Sequence, residues 1–474
     1  MNTQCTPTQL EFHAFGRRQI IGRFDAGRLT SDGGAILLRE VDRRLGLTQR
    51  IADCFTDYRD PRKIEHSVLE MVTQRVGGIA LGYEDLNDHD ALRGDSLLAL
   101  WAGKADLTGA QRPRQRDRGY ALAGSSTLNR LELSQPQAAA RDRYRRIASD
   151  ADALDRVLVD LFLDAHSEAP KELWLDLDAT DDPLHGNQEG RFFHGYYKNY
   201  CYLPLYIFCG EHLLCARLRP SNRDASAGSV EELTRIVRRI RQRWPQVRLV
   251  VRGDSGFCRE SIMRWCECND VDYVLGLARN ERLVKRIEKA LHKSHSRYTT
   301  TGAPSRRFRV FRYRTRTSWS RARRVVAKAE HLAKGPNPRF VVTSLGQEVA
   351  GPQRLYEQLY CARGDMENRI KECQLDLFAD RTSTATLRAN QLRLYFSSFA
   401  YVLLHGLRRL GLAGTRWARA QCGTLRVKLL KVAARVRITA RKVWLSFSSV
   451  YPYRDVFMAA AVALCRGSTR APPA

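Results

Sequence analysis

Nowhere among the 12 cysteines of this 474-residue chain do two stand in a C-x-x-C spacing. That absence removes the usual signal of a zinc ribbon or a dithiol redox site. The cysteines are scattered singly, the nearest pairs being Cys266/Cys268 and Cys209/Cys215. They are expected to be reduced packing residues of an intracellular protein. No G-x-x-x-x-G-K-[ST] stretch occurs, so no ATP-driven step is signalled. The longest apolar run, YFSSFAYVLLHGL, is short and interrupted by His405, which argues against a transmembrane helix. The opening residues MNTQCTPTQLEFHAF lack a basic region followed by an apolar core, so no secretory signal is expected. Long polar low-complexity tracts are missing too, which excludes extended disorder. Acid is scarce relative to base: 51 Asp and Glu stand against 79 Lys and Arg, a net charge of +28. A surplus of that size, spread along a chain, is the footprint of a protein that binds a polyanion, nucleic acid first.

The chain is long enough for two to four folding units, and a hydrophobic content of 43% is enough for real cores. Residues 1–150 read as a mostly helical region. SDGGAILLREVDRRLGL spaces Leu37, Val41 and Leu45 four apart and ends at Gly46, and HSVLEMVTQRVGG places Val68, Met71, Val72 and Val76 on one face and is expected to stop at its two glycines. QRPRQRDRGY (111–120) is a basic linker, and DALDRVLVDLFLDAH is a further amphipathic helix. At residue 171 the pattern changes. KELWLDLDAT, YCYLPLYIFCG and HLLCARLRPS are strand-like, the last two joined by the short turn CGEH. A helix (SAGSVEELTRIVRRIRQRW), a strand (QVRLVVRGDSG), a helix (CRESIMRWCECND), a strand (DYVLGLAR) and a helix (NERLVKRIEKALHK) follow. Three antiparallel strands followed by strands that need crossovers make an α/β fold with a mixed five-stranded sheet, the ribonuclease H-like arrangement. The expected organisation is a helical N-terminal DNA-binding region (1–150), a core in two pieces (151–295 and 351–378), a β insertion between them (296–350), and a helical, basic C-terminal region (379–474).

Three acids stand out. Asp176 and Asp178 alternate with Leu173, Leu175 and Leu177, so a regular strand puts Trp174, Asp176 and Asp178 on one face. Carboxylates inside an apolar strand are costly unless compensated, although Asp178 could simply cap the turn DATDDP. Asp254 ends the apolar run VRLVV in RGDSGF, where a tight turn between two glycines is the plain reading. The carboxyl end of a sheet strand is also where α/β proteins place ligands. In YCARGDMENRIKE, Tyr360, Arg363, Glu367 and Lys371 fall on one stripe of a helix running through 353–377, beside an apolar stripe of Leu359, Met366, Ile370 and Leu377. Taken alone, that stripe could be a solvated face carrying a Glu367–Lys371 pair. Two strand acids and one helix acid can instead converge. Three such charges repel, and a pair of hard divalent cations is their natural counter-charge, a constellation suited to phosphoryl transfer.

The Y-x-x-R-x-x-x-E spacing of Tyr360, Arg363 and Glu367, with DAT at Asp178 and RGDSGF at Asp254, resembles the DDE transposases of bacterial insertion sequences. LTSDGGAILLREVDRRLGL, LDLDATDDPLHG, YLPLYIFCG and RGDMENRIKE are similar to the insertion-sequence 1380 family. The resemblance spans about residues 10 to 465. It implies Mg2+-dependent cleavage at terminal inverted repeats of an element and strand transfer into target DNA, with two Mg2+ ions, replaceable by Mn2+, held by Asp178, Asp254 and Glu367. Arg363 would contact a phosphate and Tyr360 would pack or bond beside it. In one departure, the position seven residues after Glu367, often Lys in related enzymes, is Gln374. Lys371 is the nearest substitute. Asp176 competes with Asp178 for the first position, and the D-x-T pattern favours Asp178. The implied partners are double-stranded DNA and a second copy of the chain in a synaptic complex, with no membrane, in the bacterial cytoplasm at the nucleoid. A ribonuclease H-like nuclease without transfer activity, using an extra acid such as Glu231 or Glu232, and a transposase-derived DNA-binding repressor are the alternatives.

Residues 305–328 carry ten Lys or Arg and no acid. RFRVFRYRTR suggests a strand with phosphate-contacting Arg307 and Arg309, then Arg312, Arg314 and Arg316 after a change of face that suggests a bulge. A charged, solvated edge is the alternative. Trp319 reads as core more readily than as a base-stacking residue. The segment LRVKLLKVAARVRITARKVWL, with Arg426, Lys428, Lys431, Arg435, Arg437, Arg441 and Lys442, reads as a basic helix face that is either solvated or in contact with DNA or a second subunit.

Overall fold

Alternation decides the first core strand. Along Glu172–Ala179 (β1), Leu173, Leu175 and Leu177 join one apolar cluster, while Trp174 packs against another on the opposite side of the sheet. Asp176 and Asp178, in phase with Trp174, therefore share that second face, as the spacing predicts. This is a computed structural model, and it describes residues 9–137 and 146–466. Of the opening MNTQCTPTQLEFHAF, residues 1–8 lie outside the described residues, as do residues 138–145 and 467–474 at the ends of the N- and C-terminal regions. The chain divides into two units: Asp150–Val402, and Met1–Ser149 together with Leu403–Ala474.

The central unit is built on a mixed sheet of nine strands. After β1 come Leu205–Cys209 (β2), His212–Arg217 (β3), Arg248–Gly253 (β4), Asp272–Leu277 (β5), Ser305–Tyr313 (β6), Arg323–Leu332 (β7) and Arg339–Thr343 (β8). Their order across the sheet is β3-β2-β1-β4-β5-β8-β7-β6, with the short Gly335–Pro336 beside β7. β2 is antiparallel to both β1 and β3, and β4 runs parallel to β1 and to β5. The sheet does not stop at the five strands expected of it. β8 pairs with β5, and β7 and β6 continue the ladder outward. The cause is ordinary: β5 offers an edge of unpaired N–H and C=O groups, and Phe340, Val341 and Val342 supply a strand whose two faces suit both cores.

Two helices, Ser229–Arg243 (α1) and Glu260–Cys268 (α2), bury Leu233, Ile236, Val237, Ile240, Ile262 and Met263 against the Leu173/Leu175/Leu177 side. The opposite side packs Val250, Val274, Val326 and Val341 against Leu355 and Tyr356. Those last two lie in the helical segment 352–376. It is not the regular helix expected. π-helical turns at Leu355–Tyr360 and Glu372–Asp376 flank a regular stretch at Gly364–Lys371 (α3). A π turn closes i to i+5 and rotates every later side chain relative to a uniform 100° wheel, and such turns concentrate at functional sites.

The other unit is helical in its N-terminal part, with corrections. Ala35–Leu45 ends at Gly46 as expected and buries Leu37, Leu38 and Val41. The helix starting at Val68, closed by a Ser67–Glu70 capping box, runs through Gly77 and Gly78 to Leu81. The glycines do not stop it because they face bulky neighbours. A Cβ on Gly77 would meet the Trp101 ring at 2.8 Å, and one on Gly78 would meet the His89 ring at 2.6 Å. A hairpin of Leu10–Phe15 and Arg18–Gly22 precedes these helices. The C-terminal region, expected to be mostly helical, also contains a strand pair. Ala434–Ile438 and Val443–Phe447 form an antiparallel pair, with Leu29–Thr30 beside the first strand. Ala434 and Val436 are buried while Arg435 and Arg437 are exposed, the period-two pattern of a strand. Among the described residues no helix is long and apolar enough to cross a membrane.

Candidate active site

β1 and β4 run side by side in the same direction, so their carboxyl ends deliver Asp178 and Asp254 to one edge of the sheet. The turn after β4 holds Asp254 by a hydrogen bond from the Gly256 amide to its carboxylate, 2.8 Å. On α3, Glu367 lies one turn beyond Arg363. The Arg363 guanidinium donates from Nη1 to Asp178 Oδ2 at 3.1 Å and pairs through Nη2 with Glu367 Oε1 at 2.8 Å. Glu367 is thus engaged backwards along its helix with Arg363, while Lys371 is exposed.

The charge balance at this edge is incomplete. Burial pushes the Asp178 carboxyl up to about 6; Arg363 opposes the shift, and Asp254 and Glu367 add to it. For Arg363, burial lowers the pKa, but Asp178 and Glu367 outweigh it, so the guanidinium stays firmly charged. Tyr360 is pushed up by burial, with Arg363 opposing and Asp254 adding. Its hydroxyl sits directly over β5: a Cβ on Gly276 would lie 2.5 Å from it and 3.1 Å from the Asp254 carbonyl carbon. Tyr360, Arg363, Glu367, Asp178 and Asp254 are therefore neighbours.

Asp176 has a different setting. Arg252 of β4 grips both its oxygens, Nε to Oδ1 at 2.5 Å and Nη2 to Oδ2 at 2.7 Å. The same guanidinium donates to the Leu359 carbonyl at 2.5 Å and lies over the Trp174 ring. Arg252, Gly276 and the Leu359 carbonyl hold the site together but were not singled out in the sequence. Arg252 had a signal, since it opens RGDSGF. Gln374, in the place where a Lys was looked for, donates to the Asp181 carbonyl at 2.9 Å and ties the helical segment to the turn after β1.

Whether a cation suits the site depends on its donors. Asp178, Asp254 and Glu367 offer only carboxylate oxygen, the ligand set of hard divalent ions. Among the described residues, no three His, Cys, Asp or Glu side chains are gathered tightly enough to hold an ion as they stand; the Arg363 guanidinium bridges two of the acids. Burial raises the Asp178 carboxyl, and Asp254 and Glu367 add to it against the one opposing guanidinium, so the donor chemistry of the three acids suits a divalent cation. Glu232 does not belong to the cluster: Arg217 and Arg235 hold it, each at 2.9 Å, on α1. Glu231 is exposed on the same helix.

The arginines of 307–316 are not gathered at the acids. The register of β6 on β7 runs without a shift from Ser305↔His331 to Tyr313↔Arg323, so no bulge separates Arg309 from Arg312. An odd separation along a pleated strand already places side chains on opposite faces. Arg309 and Arg316 are exposed and Arg307 is half-buried. Arg312 donates to the Ala322 carbonyl at 2.6 Å and Arg314 to the Trp319 carbonyl at 3.1 Å, so these two brace the β6–β7 connection. Trp319 is buried against Tyr313, a core residue as its sequence setting favours.

A family model described as transposase DDE domain group 1 matches residues 12–469. No curated protein gives a match.

Proposed function

The chain belongs to the transposase DDE domain family, group 1, a family of DNA-cleaving and strand-transferring enzymes, and on that premise we propose that Asp178, Asp254 and Glu367 are its catalytic carboxylates. One observation carries this reading: a single guanidinium, that of Arg363, joins an acid at the end of β1 to an acid on α3, with the Asp254 charge acting on both Asp178 and Arg363. The sheet order β3-β2-β1-β4-β5 with its antiparallel-then-parallel directions supports a ribonuclease H-like core, extended by β8, β7 and β6. The opening phrases and the spacing of the acids support placement in the insertion-sequence 1380 group.

Enzymes of this family use divalent metal ions; here the three carboxylates would hold Mg2+ or Mn2+, which would supply charge neutralisation at the reacting phosphodiester and a lowered water pKa. The chain's own residues do the rest. Arg363 is within reach of any phosphate brought to Asp178 and Glu367, and its fork suits two phosphate oxygens at once. Arg252 closes off Asp176, leaving Asp178 as the acid of β1 with carboxylate oxygen to offer. Tyr360 fills the space over Gly276 and keeps Asp254 from collapsing against β5. Lys371, the half-buried Arg307 and the exposed Arg309 and Arg316 supply phosphate contacts for double-stranded DNA, with Arg312 and Arg314 shaping that loop. The division of labour follows the sequence reading: end recognition in 1–150, chemistry in 151–295 and 351–378, and backbone contacts from 296–350 and the basic 379–474. A pair of chains acts on two element ends in the bacterial cytoplasm.

The test uses purified full-length protein, labelled element ends and Mg2+, with Glu367→Gln beside wild type. Cleaved and joined products from wild type alone support the reading. Cleavage without joining selects a nuclease, binding without either selects a repressor, and unchanged products from Glu367→Gln remove this site from the chemistry.

A further inference from the structure

A cavity in the N-terminal part of the chain, walled by Arg59, Arg93, Arg112, Arg114 and Arg116 among others, takes no part in the chemistry described above. It encloses about 580 Å³, inside the roughly 300–1,000 Å³ span of small-molecule sites. Its walls carry seven Lys or Arg side chains against three carboxylates, those of Glu65, Asp90 and Asp117. Each carboxylate already has a partner: Arg112 on Glu65 at 2.6 Å, Arg93 on Asp117 at 2.9 Å, and the Ser125 amide and hydroxyl on Asp90. Arg59 is spent on Asp57, outside the lining, at 2.6 Å, and without it the walls still carry more cations than carboxylates.

The unpaired atoms point the same way. Arg112 Nη1 lies 2.8 Å from His66 Nε2. A guanidinium can only donate, so Nε2 accepts and the neutral ring carries its proton on Nδ1. That Nδ1 is buried and has no hydrogen-bond partner, and His66 is only 5% exposed. Burial, then the charges of Lys104 and Arg112, push the imidazole down to about 3, which keeps it a neutral donor. Arg93 Nε and Arg112 Nε are likewise buried without a partner. Three orphan donors belong to residues that line one cavity, each leaving about 1–3 kcal/mol of hydrogen bonding unmet. The helix Ser125–Glu132 begins in the same wall, with no acid in its first turn, and adds the positive end of its dipole.

We infer that this cavity binds a phosphate-bearing anion of about nucleotide size. A carboxylate would offer one negative charge to this positive lining, whereas a phosphate monoester brings about two charges and three strong acceptor oxygens. Planar guanidinium forks take such oxygens in pairs. The phosphate belongs either to a free nucleotide or pyrophosphate, or to a DNA strand. Nothing in the argument depends on Asp178, Asp254 or Glu367.

The full chain is titrated with pyrophosphate and with adenosine 5′-monophosphate by calorimetry, and a short labelled single strand is then competed against each. Arg114→Glu/Arg116→Glu is compared with Arg238→Glu/Arg243→Glu, an equal charge change on exposed positions of α1. The expected result is one saturable site per chain, weakened at least about tenfold by the first pair and changed by less than about twofold by the second. Mutual competition between pyrophosphate and the strand assigns the cavity to DNA. Tight pyrophosphate or nucleotide binding without competition assigns it to a free phosphoester. Equal weakening by both pairs, or no saturable site, overturns the inference. Cleavage is not among the readouts, so failure of the acid cluster would leave this result intact, and the reverse holds too.

Discussion

Asp176 and Asp178 stand two residues apart on the same face of the same strand, and each meets an arginine. Their surroundings make them different objects. Arg252 closes a two-point fork on Asp176, caps the Leu359 carbonyl and stacks near Trp174, so the pair is buried and its hydrogen bonding is spent. Arg363 reaches Asp178 with one nitrogen at 3.1 Å and divides its charge with Glu367. The first pair is satisfied within the fold. The second shares one guanidinium between two acids and leaves negative charge for something else to neutralise, whereas a raised carboxyl pKa is common to both, burial being its first cause at Asp176 and Asp178 alike.

The largest separation should appear in activity. Asp178→Asn is expected to lose at least about a thousandfold in end cleavage while remaining folded, because it removes a group that acts as part of a unit. Asp176→Ala should behave in the opposite manner, stranding the Arg252 charge in the interior at a cost of about 3–5 kcal/mol. Denaturant midpoints and cleavage assays on the two variants decide this, and wild-type cleavage by Asp178→Asn would break the comparison. The companion experiment replaces the closed pair as a unit. Asp176→Leu with Arg252→Met should recover most of what either single change loses, since apolar replacement of a buried ion pair is often neutral or stabilising. No such rescue is expected for Asp178 with Arg363.

Stability against pH probes the open acid, although burial raises the Asp176 carboxyl as well. The Asp178 carboxyl is raised from 3.8 to about 6 in the folded protein. The folded form therefore holds this proton more tightly than the unfolded chain does. Its contribution to stability is complete below the unfolded value and is lost as pH rises through about 6. Ionised Asp178 then costs the folded state on the order of 2–3 kcal/mol at neutral pH. Asp178→Asn, a neutral mimic, should match wild type near pH 4 and melt at a higher temperature near pH 7.5. A divalent ion should raise the wild-type melting temperature and leave the Asn variant unmoved. Identical melting curves across that pH range would mean that the fold does not raise the Asp178 carboxyl.

Much of this geometry was legible in the sequence because it is local. Period-two alternation put Asp176 and Asp178 on one face, and the position of Asp254 after VRLVV put it at a strand end. The illegible parts are non-local. Arg252 opens RGDSGF, but its role shows only once Asp176 and Leu359 surround it. Gly77 and Gly78 read as helix stops, since neither Trp101 nor His89 is near them in the chain. The π-helical turns at Leu355–Tyr360 and Glu372–Asp376 leave no mark in an apolar stripe calculated at a uniform 100°. A bulge seemed necessary between Arg309 and Arg312 only if both sets had to face the same way. In ARVRI the basic residues drew attention to a helix face, though Ala434, Val436 and Ile438 already alternated as a strand does.

The smallest expected effect tests how the open site keeps its shape. Gly276 of β5 lies beneath the Tyr360 hydroxyl. A methyl there would meet that oxygen at 2.5 Å, the Ser255 amide at 2.9 Å and the Asp254 carbonyl carbon at 3.1 Å. Two of those three are backbone and cannot swing away, so Gly276→Ala must move either Tyr360 or the turn that presents Asp254. Overpacking of this kind costs about 1–3 kcal/mol, and a displaced Asp254 should cut cleavage by about tenfold or more. Gly253→Ala is the matched control on β4, where the nearest atom is the Phe257 Cβ at 3.0 Å. It should lose stability without a comparable loss of cleavage. Tyr360→Phe removes the hydroxyl and should return part of the stability lost by Gly276→Ala. If cleavage stays low in that double variant, the Asp254 turn carries the defect. If cleavage returns, Tyr360 is what holds the open pair in place, as Arg252 holds the closed one.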